Sequence, residues 1–285
     1  MEYKIIEKDC YQFLKMKSEP EIDFTFLDPP FNQGKKYRLH NDSMLESDYW
    51  KWMEDICSHL FRLSTNGAAI YFMQREKNVD YVMNVLRKTG WVFQNLIIWK
   101  KKTSAIPSNI RFSKSYQIIV FATKGLRPRV FNKLRIDPPL INGYKPRDNG
   151  IYIPDVWDDI RELTSGYYAG DEVIRFDNGE RVHNQQSPIA LLLRMILSST
   201  NPGDYICDPF CGTGTTLSVA LQTNRKSIGI EKDSVNIRCI KKRLTNIGSS
   251  DLIDKYRYLY RFTPKLNQIW PEFKNENMEF NTIVA

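Results

Sequence analysis

Ile22-Asp23-Phe24-Thr25-Phe26-Leu27-Asp28-Pro29-Pro30-Phe31 is the stretch whose reading decides the fold. Ile22 to Leu27 is an apolar run of strand length, and a carboxylate, two rigid residues and a ring follow it directly. A side chain placed just after a strand of an α/β sheet emerges at the carboxyl edge, where such folds bind ligands. There Asp28 can accept a hydrogen bond from an exocyclic amino group, and the neighbouring proline carbonyl can accept a second. Two acceptors turn the amino nitrogen towards sp³ character and expose its lone pair, while Phe31 can stack on the face of a planar base. The chain carries its own control. Asp137-Pro138-Pro139-Leu140 repeats the tripeptide after Lys133-Leu134-Arg135-Ile136 and lacks the ring, so it reads as a loop.

A second string complements the first. Tyr205 to Cys207 reads as a strand, followed by Asp208-Pro209-Phe210-Cys211-Gly212-Thr213-Gly214-Thr215-Thr216. Gly212 and Gly214 permit a tight turn and close backbone approach to a ligand, and Thr215 suits the cap of the next helix. The spacing is neither that of the dinucleotide fingerprint nor that of a P-loop. The next strand, Ser227 to Ile230, delivers Glu231. A carboxylate there can clasp both ribose hydroxyls of an adenosine, although a strand-end glutamate in isolation is usually a solvated charge.

Working outward, strands are expected at Tyr3–Ile6, Ala68–Met73, Leu96–Trp99 and Tyr116–Ala122. Helices are expected at Tyr11–Met16, Tyr49–Leu63, Val79–Arg87, Pro188–Ser198, Thr215–Gln222 and Val235–Leu244. This alternation argues for βαβ units and a mainly parallel sheet. Asn32 to Asp48 reads as a mobile loop. From Thr123 to Val182 the pattern weakens under Pro128, Pro138, Pro139, Pro146 and Pro154, and so long an irregular stretch implies a task. The stretch after Gly248 shows neither motif nor element.

The chain has 285 residues, 42% of them hydrophobic, and a net charge of +8. Its length suits one large core, alone or with a small insert. Without an apolar run of spanning length or a signal-peptide layout, a cytoplasmic location and no membrane partner are expected. The five cysteines are odd in number and scattered, so they read as reduced structural thiols with no metal site. Between Lys100 and Asn149 twelve Lys or Arg face only Asp137 and Asp148, which leaves the remainder near neutral. Basic residues gathered in one segment among Phe112, Tyr116, Phe131 and Tyr144 suit a polyanion such as nucleic acid, the alternative being a solvated surface. Lys100, Lys101, Lys102, Arg111, Arg127, Arg129 and Arg135 are the candidate DNA contacts.

With both motifs in order, the chain resembles the β-class amino-directed DNA methyltransferases, which use S-adenosylmethionine. The resemblance covers about residues 2–244. Asp9-Cys10 matches an acidic element near the cofactor adenine, and Asp28 to Phe31 matches the catalytic motif, with Phe where Tyr is commoner. Trp99-Lys100 and Phe121 to Gly125 resemble later core strands. Asp208 to Thr216 matches the cofactor turn, with Thr213 where Ser is usual, and Glu231 matches the ribose-binding acid. One motif departs. His183-Asn184-Gln185-Gln186-Ser187-Pro188 stands where many relatives carry His-Pro-Thr-Gln-Lys-Pro, so Gln186 and Pro188 match while Ser187 replaces a lysine.

The resemblance implies a permuted Rossmann-like α/β fold with a mainly parallel sheet flanked by helices and an irregular DNA-recognition insert. It divides the chain into a catalytic half (1–122), a target-recognition region (123–182), a cofactor half (183–247) and a C-terminal extension (248–285). Asp28, Pro29, Pro30 and Phe31 would be catalytic. Asp9, Cys10, Gln186, Asp208, Pro209, Phe210, Gly212, Thr213, Gly214, Thr215, Thr216 and Glu231 would bind S-adenosylmethionine. Duplex DNA would be the substrate, with adenine N6 as the methyl acceptor. A cognate restriction endonuclease and a second copy of the chain are the further partners considered. The alternatives are N4-cytosine methylation, RNA or protein-glutamine methylation, and a non-catalytic DNA regulator. The sequence has no Pro-Cys dipeptide, which argues against the cysteine-nucleophile chemistry of carbon-5 cytosine methylation.

Overall fold

The computed structural model describes residues 2–19, 21–35, 37–103, 107, 109–137, 148–163, 171–176, 178–183 and 185–273. An eight-stranded sheet runs through the molecule. In chain order its strands are β1 (Tyr3–Glu7), β2 (Ile22–Leu27), β3 (Ser64–Gln74), β4 (Val92–Lys100), β5 (Tyr116–Thr123), β8 (Val156–Trp157), β9 (Tyr205–Asp208) and β10 (Lys226–Glu231). Their spatial order is β1-β10-β9-β2-β3-β5-β4-β8. Only β5 runs against its neighbours, so the sheet is mostly parallel. The strands β6 (Arg135–Ile136) and β7 (Ile151–Tyr152) form a separate antiparallel pair.

The central consequence is that β2 and β9 are parallel neighbours, with Phe24 opposite Ile206 and Thr25 opposite Cys207. The two sequence motifs therefore leave the same carboxyl edge side by side.

Both faces of the sheet are covered, which is why its strands read as continuous apolar runs. In β3, Ile70 and Phe72 face one layer while Ala69, Tyr71 and Met73 face the other. The first layer contains α1 (Cys10–Met16), α2 (Glu46–Leu63) and α3 (Val79–Lys88). The second contains α4 (Ile189–Ser199) and part of α5 (Thr215–Gln222). A smaller cluster joins α5 and α6 (Ser234–Thr245) to β1. Helix α4 is buried almost all round, including Arg194, whose guanidinium pairs with Asp159, as a helix at the centre of a core should be.

Three stretches without a clear sequence pattern contribute to the fold. In the loop between β2 and α2, buried Asp42 accepts backbone N–H bonds from Asn32 (2.8 Å), Gln33 (3.2 Å) and Lys35 (2.9 Å). Among the described residues of 123–182, Leu134, Ile136, Trp157 and Ile160 are buried in the core and β8 extends the sheet. The described part of the C-terminal extension, up to residue 273, also packs on the core. After two 3-10 segments and the short α7 (Leu266–Ile269), Tyr260 and Trp270 are fully buried, and Arg225 donates to the Ile269 carbonyl at 2.7 Å.

Candidate active site

A single cavity of about 860 Å³ opens at the carboxyl edge above β2 and β9, and both motifs line it. That volume lies within the range of small-molecule sites and reaches from one motif to the other.

At the β2 tip, Asp28, Pro29, Pro30 and Phe31 all line the cavity. The Tyr49 hydroxyl, held by Gln74 at 2.9 Å, donates to the Pro30 carbonyl at 2.8 Å. No described group donates to the carbonyl of Pro29, which leaves it as the proline acceptor. Asp28 keeps some accessible surface because it faces the cavity, yet the protein around it strips away solvent. Burial pushes its carboxyl up to about 7, the negative charge of Asp208 adds to this, and a Ser187 hydrogen bond together with Lys101 and Lys35 opposes it. Around physiological pH this carboxylate changes protonation state readily, as acid–base groups in active sites commonly do.

The β9 tip is built differently. Asp208 is buried, and both its oxygens are used locally: Oδ1 accepts the Phe210 N–H at 3.1 Å and Oδ2 the Thr216 hydroxyl. The carboxylate folds the turn back on itself. Gly212 and Gly214 have φ of 51° and 79°, the left-handed region that the turn needs. The turn also packs directly onto β10, where a Cβ on Gly229 would lie 2.8 Å from the Cys211 Sγ. From α6, Arg243 donates to the Thr213 carbonyl and the Thr215 hydroxyl at 3.1 Å each, and Asp251 grips the same guanidinium at 2.7 and 2.9 Å. Thr215 is therefore not the helix cap that its position suggests. Gly214 takes the N-cap position, and the Thr215 hydroxyl is an acceptor in this brace.

Glu231 stands at the β10 tip, and burial raises its carboxyl. Asp9 follows β1, the strand beside β10, and caps α1 by accepting the Gln12 N–H at 3.2 Å. Asp9, Cys10, Pro209, Phe210, Gly212, Thr213, Thr215, Thr216 and Glu231 reach the cavity wall. Gly214 lies behind it, with Ile240 about 3.0 Å from where its Cβ would sit. Gln186 lines the cavity, but its amide is engaged in clamping the chain: it accepts the Ile174 N–H and donates to the Glu172 carbonyl at 2.7 Å.

The basic candidates separate. Lys101 lines the cavity beside Asp28, and burial lowers its ammonium. Lys100, Lys102 and Arg111 are exposed around the carboxyl-edge rim. Arg127 and Arg129 are not brought to the site. They follow β5, the antiparallel strand, and so lie at the opposite edge, where Arg129 pairs with Asp23 and Asp204. Arg135 belongs to the small β6–β7 pair, its guanidinium over the Tyr152 ring at 4.4 Å. Asp137 of the second Asp-Pro-Pro pairs with Arg261 at 2.6 Å, while Pro138 to Leu140 lie outside the described residues.

Cavity residues with no role expected from sequence include Lys35, Tyr37 and Glu162, and His183, from the segment that resembles a cofactor-side motif, lines the cavity with them. Burial and the nearby Arg38 push His183 down to about 4, so it is neutral at pH 7. Lys35 and Tyr37 sit in the loop that composition made look unstructured, and a polar stretch gives no period to reveal them.

The comparisons agree with this geometry. Residues 22–242 match a family described as DNA methylase, the N6/N4 methyltransferases. The chain is 29% identical over 259 residues to the type II methyltransferase M.HpaI of Haemophilus parainfluenzae, covering 90% of this chain and 78% of that protein. It is 29% identical over 252 residues to the DNA adenine methyltransferase YhdJ of Escherichia coli (strain K12), covering 84% and 82%. The fold resembles that of PvuII DNA methyltransferase, cytosine-N4-specific, with TM-score 0.63, 18% identity and 94% of each chain covered. Among the described residues no helix is long and apolar enough to cross a membrane. The extent of the family match, over a cavity that carries its two motifs on neighbouring strands, shows that the chain belongs to the S-adenosylmethionine-dependent N6/N4 DNA methyltransferases.

Proposed function

We propose that the protein methylates adenine N6 in duplex DNA, as the modification enzyme of a restriction–modification pair. The observation that carries this reading is the β2 tip, where a carboxylate, a free proline carbonyl and a ring face one cavity. The similarity to M.HpaI and to the adenine enzyme of E. coli supports it.

The glycine turn, Asp9 and Glu231 fit a bound adenosine: they stand at the carboxyl ends of the adjacent strands β9, β1 and β10 and line one cavity. S-adenosylmethionine, when held there, supplies the methyl group from its sulfonium. The residues of the chain prepare the acceptor. The target base leaves the duplex stack at a cost of a few kcal/mol. Asp28 and the Pro29 carbonyl accept the two amino hydrogens and Phe31 supports the ring face. As the nitrogen–carbon bond forms and the carbon–sulfur bond breaks, the amino nitrogen becomes cationic and passes one proton to Asp28. Positioning and fixed charge provide the acceleration. Lys100, Lys102 and Arg111 on the rim meet the phosphates of the flanking duplex.

Nucleoside analysis of enzymatically methylated DNA tests the reading. N6-methyladenine is expected. N4-methylcytosine would overturn the base assignment, and label found on RNA or protein but not on DNA would overturn the substrate.

A further inference from the structure

Asp28 has one side-chain hydrogen-bond donor among the described residues, and it comes from the segment where the chain departs from its relatives. Ser187, 159 residues away in sequence, donates its hydroxyl to Asp28 Oδ2 at 3.1 Å. The groups facing Asp28 come from four other elements: Asp208 on β9, Lys101 after β4, Lys35 and Tyr37 in the loop after β2, and Tyr49 on α2. No described cation lies within ion-pair distance of it, so among the described residues the Ser187 hydroxyl is the group that orients the carboxylate.

Ser187 is itself held firmly. On one side the Gln186 amide is bonded to the backbone at 172 and 174. On the other, Pro188 begins α4 and the Glu172 carboxylate accepts the Ile189 N–H. A hydroxyl fixed in this way differs from an ammonium in one respect that matters for a proton acceptor. It donates to the carboxylate and to the carbonyl oxygen of the acid alike and carries no charge, whereas the positive charge of an ammonium opposes the arrival of a proton.

We propose that Ser187 is the positioning residue of the catalytic carboxylate: it ties Oδ2, leaves Oδ1 to the amino group, and follows Asp28 through both protonation states during turnover. This rests on the assignment of Asp28 as the amino acceptor. Before transfer the hydroxyl donates to the anion. When the amino proton arrives on Oδ1, the hydroxyl keeps donating to Oδ2, now the carbonyl oxygen of the acid, and the proton then leaves Oδ1 to solvent through the cavity.

The sign of the pH effect follows from this. A donor to the carboxylate favours the ionised form, so removing it raises the pH at which Asp28 ionises. Activity needs the anion and rises through that pH, so its acidic limb must move upward.

The test measures single-turnover methyl transfer against pH for the wild type and for Ser187→Ala, Ser187→Thr and Ser187→Lys, alongside ¹³C NMR titration of the Asp28 carboxyl in the ligand-free protein. Ser187→Ala is expected to lower the transfer rate by about 10- to 100-fold, the scale of a hydrogen bond to a charged group, with cofactor affinity unchanged and the acidic limb moved up. Ser187→Thr should restore rate and limb. Ser187→Lys should move the limb down while still slowing transfer. The carboxyl titration should move with the limb in each variant. A folded Ser187→Ala protein, judged by its thermal melt, with unchanged limb and titration would overturn the proposal. So would a Ser187→Lys enzyme as fast as the wild type. Should the product prove not to be N6-methyladenine, the function assigned above fails, while the titration still decides the role of Ser187.

Discussion

Two aspartates stand at neighbouring strand tips, each followed by proline and each pushed up to about 7 by burial, yet they are employed differently. Asp208 has both oxygens satisfied within eight residues of itself. Asp28 has one hydroxyl partner drawn from a distant helix start and an open face towards the cavity. A buried carboxylate that is fully bonded shapes a turn, whereas one left partly bonded retains acceptor capacity for a substrate. Sequence position and a perturbed carboxyl do not separate the two; the accessible face of Asp28 and the destination of each oxygen do.

The largest effect expected from this contrast is on catalysis. Asp28→Ala should reduce methyl transfer by at least about 10²–10³-fold, the loss seen when one preorganised charge-stabilising group is removed, while calorimetric cofactor binding stays nearly intact. Loss of cofactor binding in a folded Asp28→Ala protein would erase the distinction between the tips. Asp208→Ala should act on the fold first. It strands the Phe210 N–H and the Thr216 hydroxyl at about 1–3 kcal/mol for each unsatisfied group, which denaturant unfolding measures, and cofactor affinity should fall with it. Next in size is the ring beside the first carboxylate. Phe31→Ala should cost roughly 1–3 kcal/mol in base holding, read as weakened binding of DNA whose target base is mispaired, whereas Phe31→Tyr should be mild.

The smallest effect sharpens a second contrast, between the two edges of the sheet. Neutralising Arg111 or Lys102 should flatten the log–log salt dependence of DNA binding by about 0.9 for each phosphate that is no longer neutralised. Neutralising Arg127 should leave the slope unchanged, because it lies at the amino edge beside the paired Arg129. The opposite ranking would place DNA on the wrong end of the molecule.

The parts of the fold legible from sequence were those with local causes. Asp28 and Asp208 follow short apolar strands, and a strand followed by a turn residue is readable wherever it occurs. The parts that escaped depend on direction or on distant partners. Twelve basic residues between 100 and 149 give a charge total but not a location, and the antiparallel course of β5 sends Arg127 and Arg129 away from the rim that holds Lys102 and Arg111. Trp270 follows 3-10 turns and the four-residue α7, runs too short to offer a period to detect, yet it is fully buried. Thr215 has the position of a cap, but Arg243, from another helix, claims its hydroxyl. Ser187 was visible only as a departure from a pattern. Its partner was not, because no local rule links residues 28 and 187.

The adjacency of β2 and β9 also sets a timetable. Asp23 at the start of β2 accepts the backbone N–H of Tyr205, which lies 182 residues further along the chain. At ribosomal speeds of about 5–20 residues per second, β2 is synthesised roughly 10–40 s before the strand that completes it. Throughout that interval β3 covers one side of β2, while the other presents unpaired backbone and apolar side chains to whatever is nearby, the exposed edge that invites non-native pairing. Expression temperature and chaperone supply are therefore expected to change the soluble yield of this enzyme.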